Sequence, residues 1–195
     1  GVKGVLQGHR SDLTVAYLGE LDSVLVRDHP DADPKTGAAH ACGHNAQIAN
    51  LVALCYGLVE SGVMAYLDGN VALMAVPAEE YVEIEYRLGL KEAGKLEFLG
   101  GKSELIRIGA FDGIDMALMT HQSTRKERGK FSAGGTSNGF IAKQIRYEGK
   151  AAHSGGSPQA GINALKAATL ALQAIDANRE TFKDEDHIRV HPIIT

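Results

Sequence analysis

Three short apolar runs constrain this chain most, because each ends on residues that carry chemistry. Residues 13–21 read as a buried strand running into Asp22, residues 71–76 lead into Pro77-Ala78-Glu79-Glu80, and residues 114–119 end in Thr120-His121. Between the first two runs, Ile48, Leu51, Val52, Cys55, Leu58 and Val59 recur at three- and four-residue intervals. That spacing predicts a helix from Asn45, with Gly62 where a C-terminal cap belongs. Residues 28–37 hold two prolines and three aspartates and read as a loop. Residues 81–108 are mixed and charged, and read as helical with a Gly-rich interruption. Apolar strands separated by helical stretches predict an α/β fold, a mostly parallel sheet flanked by helices.

The pattern changes after residue 130. Residues 131–139 are rich in Gly, Ser, Thr and Asn and read as a crossing between units. Residues 140–148 roughly alternate, as a half-exposed antiparallel strand does, with Lys143 the exception on the apolar face. Residues 161–177 read as an amphipathic helix with Ile162, Leu165, Thr169, Leu172 and Ile175 on one side, and residues 187–194 as a further strand. Two units are expected, 1–137 and 138–195.

Composition narrows the function. The net charge is −4 without a Lys/Arg block, so neither nucleic acid nor an anionic membrane is an expected partner. No apolar run approaches the ~20 residues of a membrane-spanning helix. Two cysteines are too few for a disulfide framework, which points to a reducing, cytoplasmic setting. Glycine supplies 23 of 195 residues, against a usual ~7%, and much of it falls in tight loops.

In an open α/β sheet, ligands gather at the carboxyl ends of the strands. Asp22, Glu79, Glu80 and His121 would all arrive there, together with the His40-Ala41-Cys42-Gly43-His44 loop that opens the first helix. Thiolate, imidazole and carboxylate together form a ligand set for Zn²⁺ or a similar divalent ion. Gly43 between Cys42 and His44 lets both side chains turn onto one centre. Two adjacent carboxylates after an apolar strand repel each other when desolvated. A metal resolves this if one carboxylate binds the cation and its neighbour takes the proton of a metal-bound water.

Each residue has a plainer reading beside the chemical one. Taken singly, Cys42 is a buried thiol, the glutamate pair a solvated surface and His121 a loop residue; their joint placement at strand ends favours the metal site. Cys55 lies on an apolar helix face and reads as core. His9, His29, His187 and His191 show no partner pattern. The basic cluster Arg125, Lys126, Arg128 and Lys130 contains Glu127 and reads as a solvated loop. His153 sits between a strand and a helix, beside Gly155 and Gly156, whose backbone N–H groups would be open to an anionic or carbonyl ligand.

The order and spacing of His40-Ala41-Cys42-Gly43-His44, Pro77-Ala78-Glu79-Glu80, His121 and Gly149-Lys150-Ala151-Ala152-His153 resemble one known group. It is the metal-dependent amidohydrolase and aminoacylase branch of the zinc carboxypeptidase/aminoacylase superfamily, which includes hippurate, indole-acetyl-amino-acid and aminobenzoyl-glutamate hydrolases. The resemblance implies a catalytic α/β domain and an inserted two-layer α+β lid that mediates homodimerisation. By motif position it implies Cys42, His44, Glu80 and His121 as ligands of one or two divalent ions, Zn or Mn and possibly Co. Glu79 would be the general base, Asp22 the carboxylate supporting the metal site, and His153 the lid histidine that stabilises the tetrahedral oxyanion. The reaction implied is hydrolysis of an N-acyl-amino acid or related small amide. The rival readings are a dipeptidase or carboxypeptidase of the same superfamily, a fragment that only binds metal or dimerises, and, ranked last, a Cys42 nucleophile. Asn45 stands where many relatives carry Asp. The family's last metal-binding His comes from a C-terminal segment, so the 195-residue chain is expected to hold most of the site and to be weakly active or inactive alone.

Overall fold

The computed structural model describes residues 1–123, 129–134 and 136–194, which form two units, Gly1–Lys130 and Phe131–Thr195. Arg125, Lys126 and Arg128 of the basic cluster, and Gly135, lie outside the described residues.

In the first unit the chain runs β1 (Val2–Leu6), β2 (Thr14–Glu20), β3 (Val24–Leu25), β4 (Ala38–Ala39), α1 (His44–Glu60), β5 (Asn70–Val76), α2 (Ile84–Glu92), α3 (Gly101–Arg107) and β6 (Met116–Met119). The main sheet has the order β1-β5-β2-β6; β2 is parallel to both β5 and β6, and β1 is antiparallel at the edge. The mostly parallel α/β sheet is therefore present, with an edge strand the sequence reading left out. Register decides what happens next. Glu20 lies opposite Val76 and Leu18 opposite Met119, so the three parallel strands finish at one edge. The residues that follow them, Asp22, Glu79-Glu80 and His121, leave the sheet side by side.

Ala16, Leu18, Ala72, Met74 and Val76 form the buried core, against which Leu105, Ala110, Phe111 and Ile114 pack. At Gly19 a Cβ would lie 3.0 Å from Ile48 Cδ1 of α1, which marks how closely that helix is seated. The helix turns 44, 47, 48, 51, 54, 55 and 58 inward, and leaves Val52 and Val59 exposed. The predicted apolar stripe is thus rotated, because buried polar groups at its first turn, His44 and Gln47, belong to the inward face. Gly62 takes the left-handed conformation just past the helix, where its cap was expected.

Gly101 opens α3 hard against the Pro77 carbonyl oxygen, with which a Cβ would collide, while its N–H donates to Ala78 O at 2.8 Å. Gly101→Ala would ordinarily gain up to ~1 kcal/mol from helix propensity. Here the clash is with backbone, and we expect a net loss of about 1–3 kcal/mol. Urea unfolding of the intact protein measures it; an unchanged midpoint would show that α3 is not pinned at this contact.

In the second unit α4 (Ala164–Asn178) is preceded by an antiparallel bridge between Lys150 and Ile162. The helix starts three residues later than predicted because Asn163 caps it, accepting Lys166 N–H at 2.9 Å. The strands predicted over 140–148 and 187–194 are not formed among the described residues. Alternation is a strand only where a neighbour completes the ladder, and the bridge at Lys150 is the one pairing described in this unit.

Candidate active site

Gly43 sets the geometry of the Cys42–His44 loop. Its φ is 112°, and a Cβ would stand 2.6 Å from Gln122 Cδ, so both conformation and space require glycine. Gln122 in turn donates from Nε2 to Cys42 O at 3.2 Å, tying this loop to the segment after β6. Thr120 anchors that segment from its other side, through Tyr17 Oη at 3.0 Å and Asn50 Nδ2 at 3.4 Å.

His44, only 1% exposed, is the hub. Its Nδ1 meets the backbone oxygen of Asp22 at 2.8 Å. A carbonyl only accepts, so the proton is on Nδ1 and the Nε2 lone pair faces the site. His121 is arranged the same way, with Nδ1 donating to Gln122 O at 2.7 Å and Nε2 lying 3.5 Å from Cys42 Sγ. The donor atoms of Cys42, His44 and His121 all lie within 4.8 Å of one another, as do those of Glu20, His44 and Glu79. Glu79 Oε2 is 3.8 Å and Glu80 Oε1 3.9 Å from His44 Nε2. Asp22 accepts the Glu80 backbone N–H at 2.9 Å, which fixes the glutamate pair relative to His44.

Three buried polar atoms here make no hydrogen bond: His44 Nε2, Glu80 Oε1 and Asp22 Oδ1. Buried polar atoms without partners are costly. Glu20 Oε2 comes within 2.9 Å of His44 Nε2, but as an acceptor facing a lone pair it does not satisfy it. A divalent cation would. The donor set of thiol, two imidazoles presenting Nε2, and carboxylate fits one.

The titration behaviour follows from this crowding. The Cys42 thiol is pushed up to about 11, first by burial, then by its hydrogen bond to Glu80 and by the charges of Glu80, Glu79 and Glu20. Glu79 is raised above the ordinary glutamate value by burial and by Glu20, with Lys102 opposing. A protonated thiol is a poor nucleophile, which weighs against Cys42 in that role.

The structure brings together Asp22, Cys42, His44, Glu79, Glu80 and His121. It adds two residues the sequence reading passed over, Glu20 and Lys102. Cys55 is half-buried on α1. His153 lies in the second unit, where the N–H groups of Gly155 and Gly156 donate to its own Nδ1 at 3.1 and 2.8 Å. Those donors are therefore not open to a ligand as expected. They place the ring proton on Nε2, making that atom the donor.

Residues 136–187 match the family model described as the M20 peptidase dimerisation domain. Over 184 residues the chain is 34% identical to the Xaa-Arg dipeptidase of Mus musculus, covering 93% of this chain and 35% of that protein. It is 31% identical over 190 residues to a p-aminobenzoyl-glutamate hydrolase subunit of Escherichia coli K12, covering 92% of this chain and 38% of the relative. The chain thus resembles M20 peptidases and amidohydrolases. It spans little more than a third of the length of these curated M20 relatives. Among solved structures, a candidate aminohydrolase from methicillin-resistant Staphylococcus aureus shares the fold, with a TM-score of 0.54 at 23% identity, covering 91% of this chain and 44% of that one.

Proposed function

We propose that this chain carries the catalytic centre of an M20 enzyme that hydrolyses the amide bond of N-acyl-amino acids or related small amides. The observation that carries this reading is the convergence of the unsatisfied His44 Nε2 and Glu80 Oε1 with Cys42 and His121, beside a second carboxylate, Glu79, that the ligand set does not need. Cys42, His44, Glu80 and His121 would hold one or two divalent ions, Zn, Mn or Co. When bound, the ion supplies Lewis-acid activation of water and of the amide carbonyl.

The chain's own residues do the rest. Glu79, raised above the ordinary glutamate value by burial first and by Glu20 next, takes the proton from the attacking water and returns it to the departing amine. Asp22 orients His44 through its backbone oxygen and the Glu80 amide through its carboxylate. His153, with its ring proton on Nε2, is the donor suited to a developing oxyanion. Residues 1–137 are the partial catalytic domain, and 138–195 the partial lid and dimerisation domain of a homodimer. A cytoplasmic location accords with the two free cysteines, and no helix among the described residues is long and apolar enough to cross a membrane.

A dipeptidase of the same family is the second reading, favoured by the mouse relative. Metal analysis of the intact protein, paired with a panel of N-acyl-amino acids and dipeptides, separates the two. We expect stoichiometric divalent metal and faster turnover of the N-acyl compounds. Preferential cleavage of dipeptides selects the second reading, and a metal-free preparation that turns over either class defeats both.

A further inference from the structure

Four carboxylates converge on His44, and one of them has a cation of its own. Glu20, at the end of β2, is 2% exposed, yet both its oxygens have protein donors. Oε1 pairs with the ammonium of Lys102, and Oε2 accepts Gln47 Nε2 at 3.2 Å. The Glu20 backbone N–H donates to Gln47 Oε1 at 2.8 Å, so Gln47 of α1 holds both the backbone and the carboxylate of Glu20. Lys102 comes from α3, which is fixed in two ways. Gly101 is bonded to Ala78 O, and Glu104 accepts the N–H groups of Glu97 and Phe98 at 3.1 and 3.0 Å. The ammonium is thus delivered by an anchored element. A buried carboxylate that loses its only cation becomes an uncompensated charge and seeks another.

We propose that Lys102 is a positioning residue that engages the charge of Glu20, which lies among the donor groups around His44, so that the ion takes Cys42, His44, Glu80 and His121 as its donors. This rests on the metal-centre reading above. Without Lys102, Glu20 Oε2, already 2.9 Å from His44 Nε2, is the carboxylate best placed to join the cation. Lys102 acts on the ligand set through Glu20, and it is not itself a catalytic residue.

The test uses Co²⁺ titration of the intact, metal-stripped protein, read by its visible absorption. Glu20→Gln should leave the Co²⁺ spectrum unchanged, because Glu20 is not a ligand. Lys102→Met should alter the spectrum toward higher coordination and tighten Co²⁺ binding by at least about tenfold, since a nearby positive charge is gone and a carboxylate is gained. Lys102→Arg keeps the ion pair and should keep the spectrum. Adding Glu20→Gln to Lys102→Met should restore the wild-type spectrum, which a merely structural lysine would not allow. A changed spectrum in Glu20→Gln alone, or weakened binding in Lys102→Met that the second substitution does not correct, overturns the proposal. If the unsubstituted protein takes up no Co²⁺, it is the metal-centre reading itself that fails.

Discussion

Glu79→Gln is expected to abolish amide hydrolysis by the intact protein while leaving its metal content unchanged. Gln has the shape of Glu but cannot accept a proton, so the substitution removes the base and little else. General-base assistance is worth about 10²–10⁴-fold, and a loss of that size in kcat is the expected reading. Metal content should hold because the cluster of Cys42, His44 and His121 forms without Glu79. The acidic limb of the activity profile carries a second signature. Glu79 is raised by burial first and by Glu20 next, and only its ionised form accepts a proton. Activity should therefore fall, with decreasing pH, at a value above that of an ordinary glutamate. The bound cation's charge works in the other direction, so the limb in Mn²⁺ and Zn²⁺ forms reports their balance. Full activity in the Gln variant would remove Glu79 from the reaction.

Much of this site is legible in one dimension. Asp22, Glu79-Glu80 and His121 each follow an apolar run, and parallel pairing carries all three runs to one edge. Cys42-Gly43-His44 is readable for the same reason, since a glycine between two candidate ligands signals a turn that only it can make. Glu20 is different. Its one-dimensional signal is an acid two residues before Asp22 on a buried strand, which by itself names no partner. Its meaning depends on Lys102, 82 residues later, and on α3 being seated against Pro77, which no periodicity encodes. The second unit shows the opposite failure. The alternation over 140–148 was real, but a pattern that needs a partner strand does not name one.

Metal uptake by this centre should expel a proton from Cys42. The thiol is held up to about 11 by burial, by its hydrogen bond to Glu80 and by the surrounding carboxylates, so near neutral pH the metal-free protein carries S–H. The sign follows directly. A raised folded-state value stabilises the metal-free fold below the ordinary thiol value of 9.0, and that contribution is lost as pH rises toward about 11. A divalent ion requires the thiolate, so binding and proton release are linked, and apparent affinity should climb about tenfold per pH unit. Calorimetry in buffers of different ionisation enthalpy should count about one proton per ion from this group. Cys42→Ser should remove that proton and weaken Zn²⁺ binding far more than Mn²⁺ binding, because the thiolate is the soft donor of the set. Equal losses for both ions would mean that Cys42 is not bonded to the metal. Rapid iodoacetamide labelling of the metal-free protein near neutral pH would point instead to a thiolate already formed, and would return the nucleophile reading to contention.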